Sequence, residues 1–348
     1  MNHNQCKTCL QGFALGVTLT AALSCGAAEI KWAGFRSSIY GAQNAENPFP
    51  APETWTTAAQ TIAANFAAET QPTLVWIVGT VDTSDAKNGK VILEMAQPAG
   101  DYPDIGFVPA SEIGQKYPNH EAWLDYFDEQ GIKVLLQVEP GHSDVTEIID
   151  ILMTAYGHHS SVIGFGVDVE WYQNSNGKKG GNASVSAAAM LSWLNALHQQ
   201  NPAFKLMVKH WAAENLAGGS LQGIPAEQRP FLIFCCDSQG SGGLQEFLEV
   251  MTTFAQAYQD GGASPDIWFQ IGYPTDWWRT PAWAPENEPW FYTLKDGWQS
   301  GKNGIPAQER AELPALLGQQ LAAAVGANQQ IGVIWVDFTM RQIYPNIF

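Results

Sequence analysis

Eight apolar segments with strand character recur along the chain, and stretches with a helical period separate them. The strand-like segments are residues 30–40, 73–81, 133–138, 162–172, 205–211, 231–237, 266–273 and 332–338. Their residues are apolar on both faces, which is typical of a parallel sheet covered by helices. Eight such repeats in 348 residues predict an α/β fold, a single (β/α)8 TIM barrel.

The helical period occurs in residues 54–68, 143–156, 184–199, 243–258 and 307–327. An open, doubly wound sheet is the alternative arrangement of alternating strands and helices. The dinucleotide-binding pattern G-x-G-x-x-G of such sheets is missing between a strand and a helix, since Gly164-Phe165-Gly166 lies within a strand-like segment. The closed barrel is therefore the favoured prediction.

Two of the connections after strands are long. Residues 82–118 follow the second strand and contain GKVILEMAQP, which predicts a small hairpin. Residues 275–306 follow the seventh strand and are rich in Trp and Pro. Because the loops after barrel strands surround the active face, we expect both to shape a binding site.

The first 28 residues have the three-part plan of a signal peptide: Lys7, an apolar stretch over 12–23, and then small residues. The apolar stretch is too short to span a membrane. Ala22-Leu23-Ser24-Cys25 also resembles a bacterial lipoprotein signal, which would leave Cys25 lipidated. We therefore expect a secreted, periplasmic or cell-envelope protein whose barrel domain is residues 29–348.

The charge of the chain disfavours anionic partners. Its 17 basic and 34 acidic residues give a net charge of −17, a field that repels nucleic-acid backbones and anionic lipid surfaces. The 14 tryptophans suggest aromatic contact surfaces as well as core. The sequence thus predicts neither a nucleic-acid partner nor a membrane span.

Polar side chains concentrate at the carboxyl ends of the predicted strands, where the active sites of such barrels lie. Unpaired buried charges cost several kcal/mol, so this concentration predicts a pocket lined by water or substrate. The predicted catalytic residues are Asp168, Glu170 and Glu139. The predicted substrate-binding residues at these ends are Arg36, Tyr172, Lys209, Asp237, Gln270, Tyr273 and Asp337.

The pair Asp168 and Glu170 is the most specific feature. Alternate residues of a strand share a face and lie about 6.5–7 Å apart, so one carboxylate could raise the pKa of the other. A proton donor beside an ionised partner is what glycosidic bond cleavage requires. The alternative is an ion-pair network with Lys209, Arg36 or Arg341. Glu139 is either a base or supporting partner for this pair, or the salt-bridge partner of Lys209.

The stretch I-G-F-G-V-D-V-E, residues 163–170, resembles the strand 4 signature D-G-x-D-x-D-x-E of family 18 glycoside hydrolases, the chitinases and endo-N-acetylglucosaminidases. Ile163 and Gly166 replace the first two aspartates. The resemblance implies that Glu170 protonates the leaving oxygen while Asp168 orients a substrate N-acetyl group that attacks the anomeric carbon. G-V-I-W, residues 332–335, is similar to the family's last strand, which implies that Trp335 floors a sugar subsite.

Aromatic residues in the second long loop, Trp277 and Trp278 above all, are candidates for contacting sugar faces. They could equally form a small core that holds the loop together. No metal-binding motif occurs after the leader and the histidines are scattered, so the sequence predicts no metal and no cofactor, with a hydrated divalent ion on the strand-end carboxylates as the alternative. His158 and His159 are expected to have a cationic or capping role at a helix end.

The favoured functional prediction is a secreted glycoside hydrolase acting on an oligosaccharide or polysaccharide. The first alternative is a carbohydrate-binding barrel without catalysis. The second is a lyase or aldolase barrel, which would need a metal or Lys209 as a Schiff-base amine with a depressed pKa.

Overall fold

Eight parallel strands close into a ring in the computed structural model, which describes residues 26–37, 49–85, 87–174, 183–238, 244–259, 264–273, 311–327 and 329–348. Numbered in chain order, the ring strands are β1 (Glu29–Ser37), β2 (Gln71–Val81), β5 (Lys133–Val138), β6 (Val162–Asp168), β7 (Lys205–Lys209), β8 (Leu232–Asp237), β9 (Asp266–Ile271) and β10 (Gln330–Val336). The ring closes because β1 pairs in parallel with both β10 and β2. The predicted (β/α)8 barrel is confirmed.

Helices lie between the strands and cover the outside of the ring. They are α1 (Pro52–Ala63), α2 (His120–Gln130), α3 (Val145–Tyr156), α4 (Ala187–Gln200), α5 (Leu244–Ala257), α6 (Leu313–Val325) and the short α7 (Met340–Ile343). Asp144 and Ser186 accept hydrogen bonds from the first-turn amides of α3 and α4, and such caps are each worth about 1 kcal/mol. Among the described residues, no helix has the length and apolar character needed to cross a membrane.

The long connection after β2 extends the sheet beside the barrel. The short strand β3 (Val91–Leu93) pairs antiparallel with β2, and β4 (Ile105–Phe107) adds to β3 in parallel. The other predicted long loop, residues 275–306, lies outside the described residues.

Strand alternation divides the core into two parts. One set of side chains fills the barrel interior: Trp32, Val75, Leu135, Met207, Ile233, Cys235, Trp268 and Ile334. The neighbouring strand residues point outward and pack against the helices in a larger cluster. Because side chains alternate along a strand, the residue two positions after an interior residue faces inward again, nearer the carboxyl end. This rule places Gln137, Lys209, Asp237 and Gln270 inside the mouth of the barrel.

Candidate active site

Three carboxyl groups surround the ammonium group of Lys209. Its Nζ lies 2.7 Å from Glu170 Oε1, 2.8 Å from Asp237 Oδ2 and 3.1 Å from Asp168 Oδ2. Asp168, Lys209 and Asp237 are the last residues of the adjacent strands β6, β7 and β8, and Asp168 is paired in register with Lys209. The order of the strands therefore builds this group, which we call the Lys209 cluster.

Glu170 reaches the Lys209 cluster by a route that differs from the prediction. A strand over 162–172 would place Asp168 and Glu170 on one face, but β6 ends at Asp168 and a 3-10 turn, Val169–Trp171, follows. The turn brings Glu170 back over the barrel mouth. Its side chain is 24% exposed, whereas those of Asp168, Lys209 and Asp237 are at most 3% exposed. Glu170 is thus the most accessible carboxyl group of this cluster in the described structure.

Arg36 provides a second buried cation at the mouth. Its Nη2 lies 3.9 Å from both Glu139 Oε1 and Asp168 Oδ2. Burial by itself lowers the pKa of Arg36, but Tyr273 and the nearby carboxylates outweigh it and raise the pKa above the ordinary value. Glu139 is therefore ion-paired with Arg36, where the sequence had suggested Lys209.

The ion-pair network that the sequence offered as an alternative reading of the carboxylates is present. Lys209 and Arg36 both belong to it. Arg341, the third proposed member, donates from Nη1 to the backbone oxygen of Phe348 at 3.0 Å. Such a network can also perform chemistry when one of its acids holds a proton that it can transfer.

Two of the buried acids hold protons more tightly than usual. Burial and the charge of Asp168 raise the pKa of Glu139 to about 7, and Arg36 opposes the change. Burial also raises the pKa of Asp237 to about 6; Lys209 opposes this effect, and the charge of Glu170 and its hydrogen bond add to it. Both groups thus exchange protons in the pH range where a general acid or base operates.

Lys209 itself remains a cation. Burial alone would lower its pKa, but Asp168, Asp237 and Glu170 raise it well above the ordinary value. A Schiff-base amine must be neutral to attack a carbonyl group, which requires a depressed pKa. The structure therefore disfavours the aldolase alternative that would use this residue.

Two amide side chains offer further polar groups at the mouth. Gln137 Nε2 donates to Asp168 Oδ2 at 3.5 Å, and Tyr273 donates its hydroxyl to Gln270 Oε1 at 3.3 Å. Gln137 Oε1 and Gln270 Nε2 are buried and make no hydrogen bond in the described structure. Gln137 was not among the predicted site residues, although a lone amide in an otherwise apolar strand end was the available signal. These free amide atoms suit the hydroxyl groups of a ligand.

Trp335 does not reach the mouth. It is fully buried on the helix side of β10, and its indole N–H donates to Thr339 Oγ1 at 2.9 Å. Ile334, one residue earlier, is the residue that faces the barrel interior. The predicted role of Trp335 as the floor of a sugar subsite is therefore not supported, because strand alternation turns its ring away from the site.

The remaining predicted binding residues are Tyr172, Asp337, Trp277 and Trp278. Tyr172 is half-buried and packs edge-on against Trp193 of α4, with ring centroids 5.1 Å apart. Asp337 is buried at the start of the 3-10 turn after β10. Its charge contributes to the raised pKa of Arg36, so it lies close enough to interact with the network. Trp277 and Trp278 lie outside the described residues.

The segment after β7 contains His210 and Trp211, and sequence reasoning had not singled out Trp211. His210 Nδ1 accepts the backbone N–H of Ala212 at 2.9 Å, and burial with the charge of Lys209 lowers the His210 pKa to about 4. A neutral His210 ring therefore caps the loop after β7. Trp211, beside it, is 53% exposed, so its indole face is open to a ligand at the strand end.

No protein-family model matches the chain, and no curated protein matches it. Several solved structures of glycoside hydrolases are similar in fold. An intracellular xylanase from Thermoanaerobacterium saccharolyticum in complex with xylotriose is 12% identical, with a TM-score of 0.39, over 88% of this chain and 85% of the xylanase.

A β-galacturonidase from Eisenbergiella tayi is 12% identical, with a TM-score of 0.40 over 89% of this chain, which spans 43% of that enzyme. A monomeric β-xylosidase from Caulobacter crescentus is 10% identical, with a TM-score of 0.40, over 89% of this chain and 61% of the xylosidase. The resemblance to family 18 is not confirmed by these matches and stays a prediction. At this level of similarity, the inference about function depends on the residues of the site.

Proposed function

We propose that the protein is a glycoside hydrolase that cleaves an oligosaccharide or polysaccharide at the mouth of the barrel. The observation that carries the proposal is the Lys209 cluster, in which three carboxyl groups share one ammonium group and Glu170 alone is partly exposed. Glycosidases place two carboxyl groups around the scissile bond, with different protonation states.

Glu170 is the group we assign as the general acid. It is within reach of a ligand, and it shares the ammonium group of Lys209 with the buried carboxyl group of Asp237, whose pKa of about 6 favours the protonated form in mildly acidic solution. The pair can therefore hold one proton and deliver it through Glu170 to the oxygen of the leaving sugar. Lys209 stabilises the negative charge that remains on the pair.

Asp168 is the group we assign as the second carboxylate. Its Oδ2 and Glu170 Oε1 contact the same nitrogen, so these oxygens lie no more than about 6 Å apart, an upper limit that is compatible with the spacing of about 5–5.5 Å in retaining enzymes. Inverting enzymes need a wider spacing of about 6.5–9.5 Å to admit a water molecule. The spacing supports retention, with Asp168 as nucleophile, or as the group that orients an N-acetyl substituent when the substrate carries one.

The polar and aromatic groups around the Lys209 cluster fit a sugar. The free amide atoms of Gln137 and Gln270 suit its hydroxyl groups, and the open face of Trp211 suits its C–H face. Secretion or retention in the cell envelope, as the leader predicts, would place the enzyme among extracellular glycans. A nucleic-acid partner remains disfavoured by the net charge of −17.

A carbohydrate-binding barrel without catalysis is the second candidate function. The observation that favours it is the contact of Lys209 with all three carboxyl groups, because an ion pair holds an acid in its ionised, non-donating form. Such a protein would bind sugar, release no product, and bind equally well after Glu170→Gln.

The test is reducing-sugar release from a panel of N-acetylated and non-acetylated polysaccharides. The wild type is compared with Glu170→Gln, Asp168→Asn and a matched control, Glu214→Gln, which changes an exposed carboxyl group after β7. We expect turnover of one glycan class by the wild type and the control, and its loss in the other two variants. Glycan binding without turnover by the wild type, unchanged in Glu170→Gln, would overturn the hydrolase and support the binding barrel.

A further inference from the structure

A second group of charged side chains lies on the outside of the barrel, between α2 and the segment that leads into β6. Glu121, Asp125 and Asp128 occur along α2 at a spacing that places them on one helix face. His158 and His159 follow the end of α3 and lie against that face. Because this segment enters β6 at its amino end, the group is separate from the Lys209 cluster.

The hydrogen bonds of His159 determine which of its ring nitrogens is free. Asp128 accepts from the backbone N–H of Ser161 and lies 2.9 Å from His159 Nδ1. An ionised carboxylate only accepts, so Nδ1 carries the hydrogen and Nε2 presents a lone pair. His159 is 3% exposed, and its Nε2 is buried without a hydrogen-bond partner in the described structure. In the neutral ring this nitrogen carries the lone pair, and it lies 3.5 Å from Glu121 Oε2.

The distances in this group match those between ligands of one metal ion. His158 Nε2 lies 3.3 Å from Glu121 Oε1, and ligand atoms of Glu121, His158 and His159 all lie within 4.8 Å of one another. Nitrogen and oxygen ligands about 2.0–2.1 Å from a tetrahedral Zn²⁺ are about 3.3–3.4 Å apart. The bond from His159 to Asp128 is the arrangement in which a carboxylate orients a metal-binding imidazole.

We propose that Glu121, His158 and His159 bind a divalent transition-metal ion of the Zn²⁺ class, with Asp128 as the positioning residue for His159. Two imidazoles and one carboxylate suit Zn²⁺, whereas Mg²⁺ and Ca²⁺ prefer oxygen ligands. The ion joins α2 to the segment before β6 and so stabilises that side of the barrel. The sequence had predicted no metal site, and a cationic or capping role for these histidines. The proposal is independent of the glycosidase activity.

The experiment titrates Zn²⁺ and, separately, Mg²⁺ into the untagged full-length chain after removal of metal by a chelator, at pH 7.5, with calorimetric detection. We expect one saturable Zn²⁺ site and no Mg²⁺ binding. His158→Ala and Glu121→Gln, both at exposed side chains, should weaken Zn²⁺ binding by more than about 100-fold. The control Glu129→Gln removes an exposed charge from the same helix and should leave the affinity unchanged.

Two further measurements separate a metal site from a charged patch. Asp128→Asn should weaken Zn²⁺ binding by about 10–100-fold, because the imidazole loses its orienting partner. Zn²⁺ should raise the melting temperature of the wild type and not that of Glu121→Gln. The double variant of Glu121 and His158 measures any Zn²⁺ bound elsewhere in the chain. A wild type without a saturable site, or folded single variants that bind Zn²⁺ as the wild type does, would overturn the proposal.

Discussion

Glu170 and Asp237 come from different strand ends, and their carboxyl groups contact the same ammonium group of Lys209, at 2.7 Å and 2.8 Å. The contact pairs a partly exposed acid with a fully buried one. A proton held by the buried member is protected from bulk water, and the partly exposed member lies on the same ammonium group. This relationship underlies the proposed catalytic role of Glu170.

Replacing Lys209 by Met should destabilise the protein. The change leaves Asp168, Glu170 and Asp237 without their shared cation, and breaking a buried ion pair costs about 3–5 kcal/mol. Urea denaturation measures the change in the free energy of unfolding. The control Lys116→Met, at an exposed side chain, should leave the midpoint where it is. Equal midpoints for wild type and Lys209→Met would contradict the ion-pair cluster.

The stability that depends on Glu139 should fall as the pH rises. Its pKa is about 7 in the folded protein against an ordinary 4.5, so the folded state binds more protons than the unfolded state between these values. The contribution is fully present below pH 4.5 and is lost as the pH rises through 7, by about 3 kcal/mol in order of magnitude.

The measurement is the difference in unfolding free energy between wild type and Glu139→Gln, taken at several pH values. The unfolding free energy of the wild type, relative to that of Glu139→Gln, should decrease as the pH rises from 4.5 to 7 and then stay constant. A difference that is flat with pH would show that Glu139 has no raised pKa.

Trp211→Ala should weaken substrate binding without affecting stability. The exposed indole contributes little to the core, and an aromatic contact worth about 0.5–1.5 kcal/mol corresponds to an increase in KM of about 2–10-fold. Phe338→Ala, at another exposed aromatic residue, after β10, is a useful comparison. An unchanged KM in Trp211→Ala would remove this residue from the site.

Trp335→Phe should lower stability without affecting substrate binding. The substitution leaves space in the core and removes the hydrogen bond to Thr339, so we expect a loss of about 1–3 kcal/mol in stability. The KM of the folded variant should match that of the wild type. A large increase in KM with stability unchanged would restore the sugar-subsite role implied by the family 18 resemblance.

The alternation of strands and helices was enough to predict the barrel, because eight apolar repeats leave few other arrangements. The helix α2 was not among the predicted helices. Its buried residues include the polar His120, which weakens the apolar period, although Asn119 and Gly131 mark its ends as cap residues do. Such caps are the signal that could have identified it.

Within the site, the strand-end rule placed Asp168, Lys209 and Asp237 correctly near one another. The rule was not enough for Glu170, because the end of β6 and the turn after it depend on tertiary contacts. It was also not enough for Trp335, since β10 is apolar on both faces and hydropathy cannot tell which face points into the barrel.

The most direct test of the proposed role of Glu170 compares two substrates of the sugar class identified by the polysaccharide panel. One is the natural glycan, whose leaving oxygen needs a proton, and the other is a dinitrophenyl glycoside, whose leaving group does not. We predict that Glu170→Gln lowers kcat/KM on the glycan by about 10²–10⁴-fold and on the aryl glycoside by less than about 10-fold. Equal losses on both substrates, or no loss on the glycan, would contradict Glu170 as the general acid.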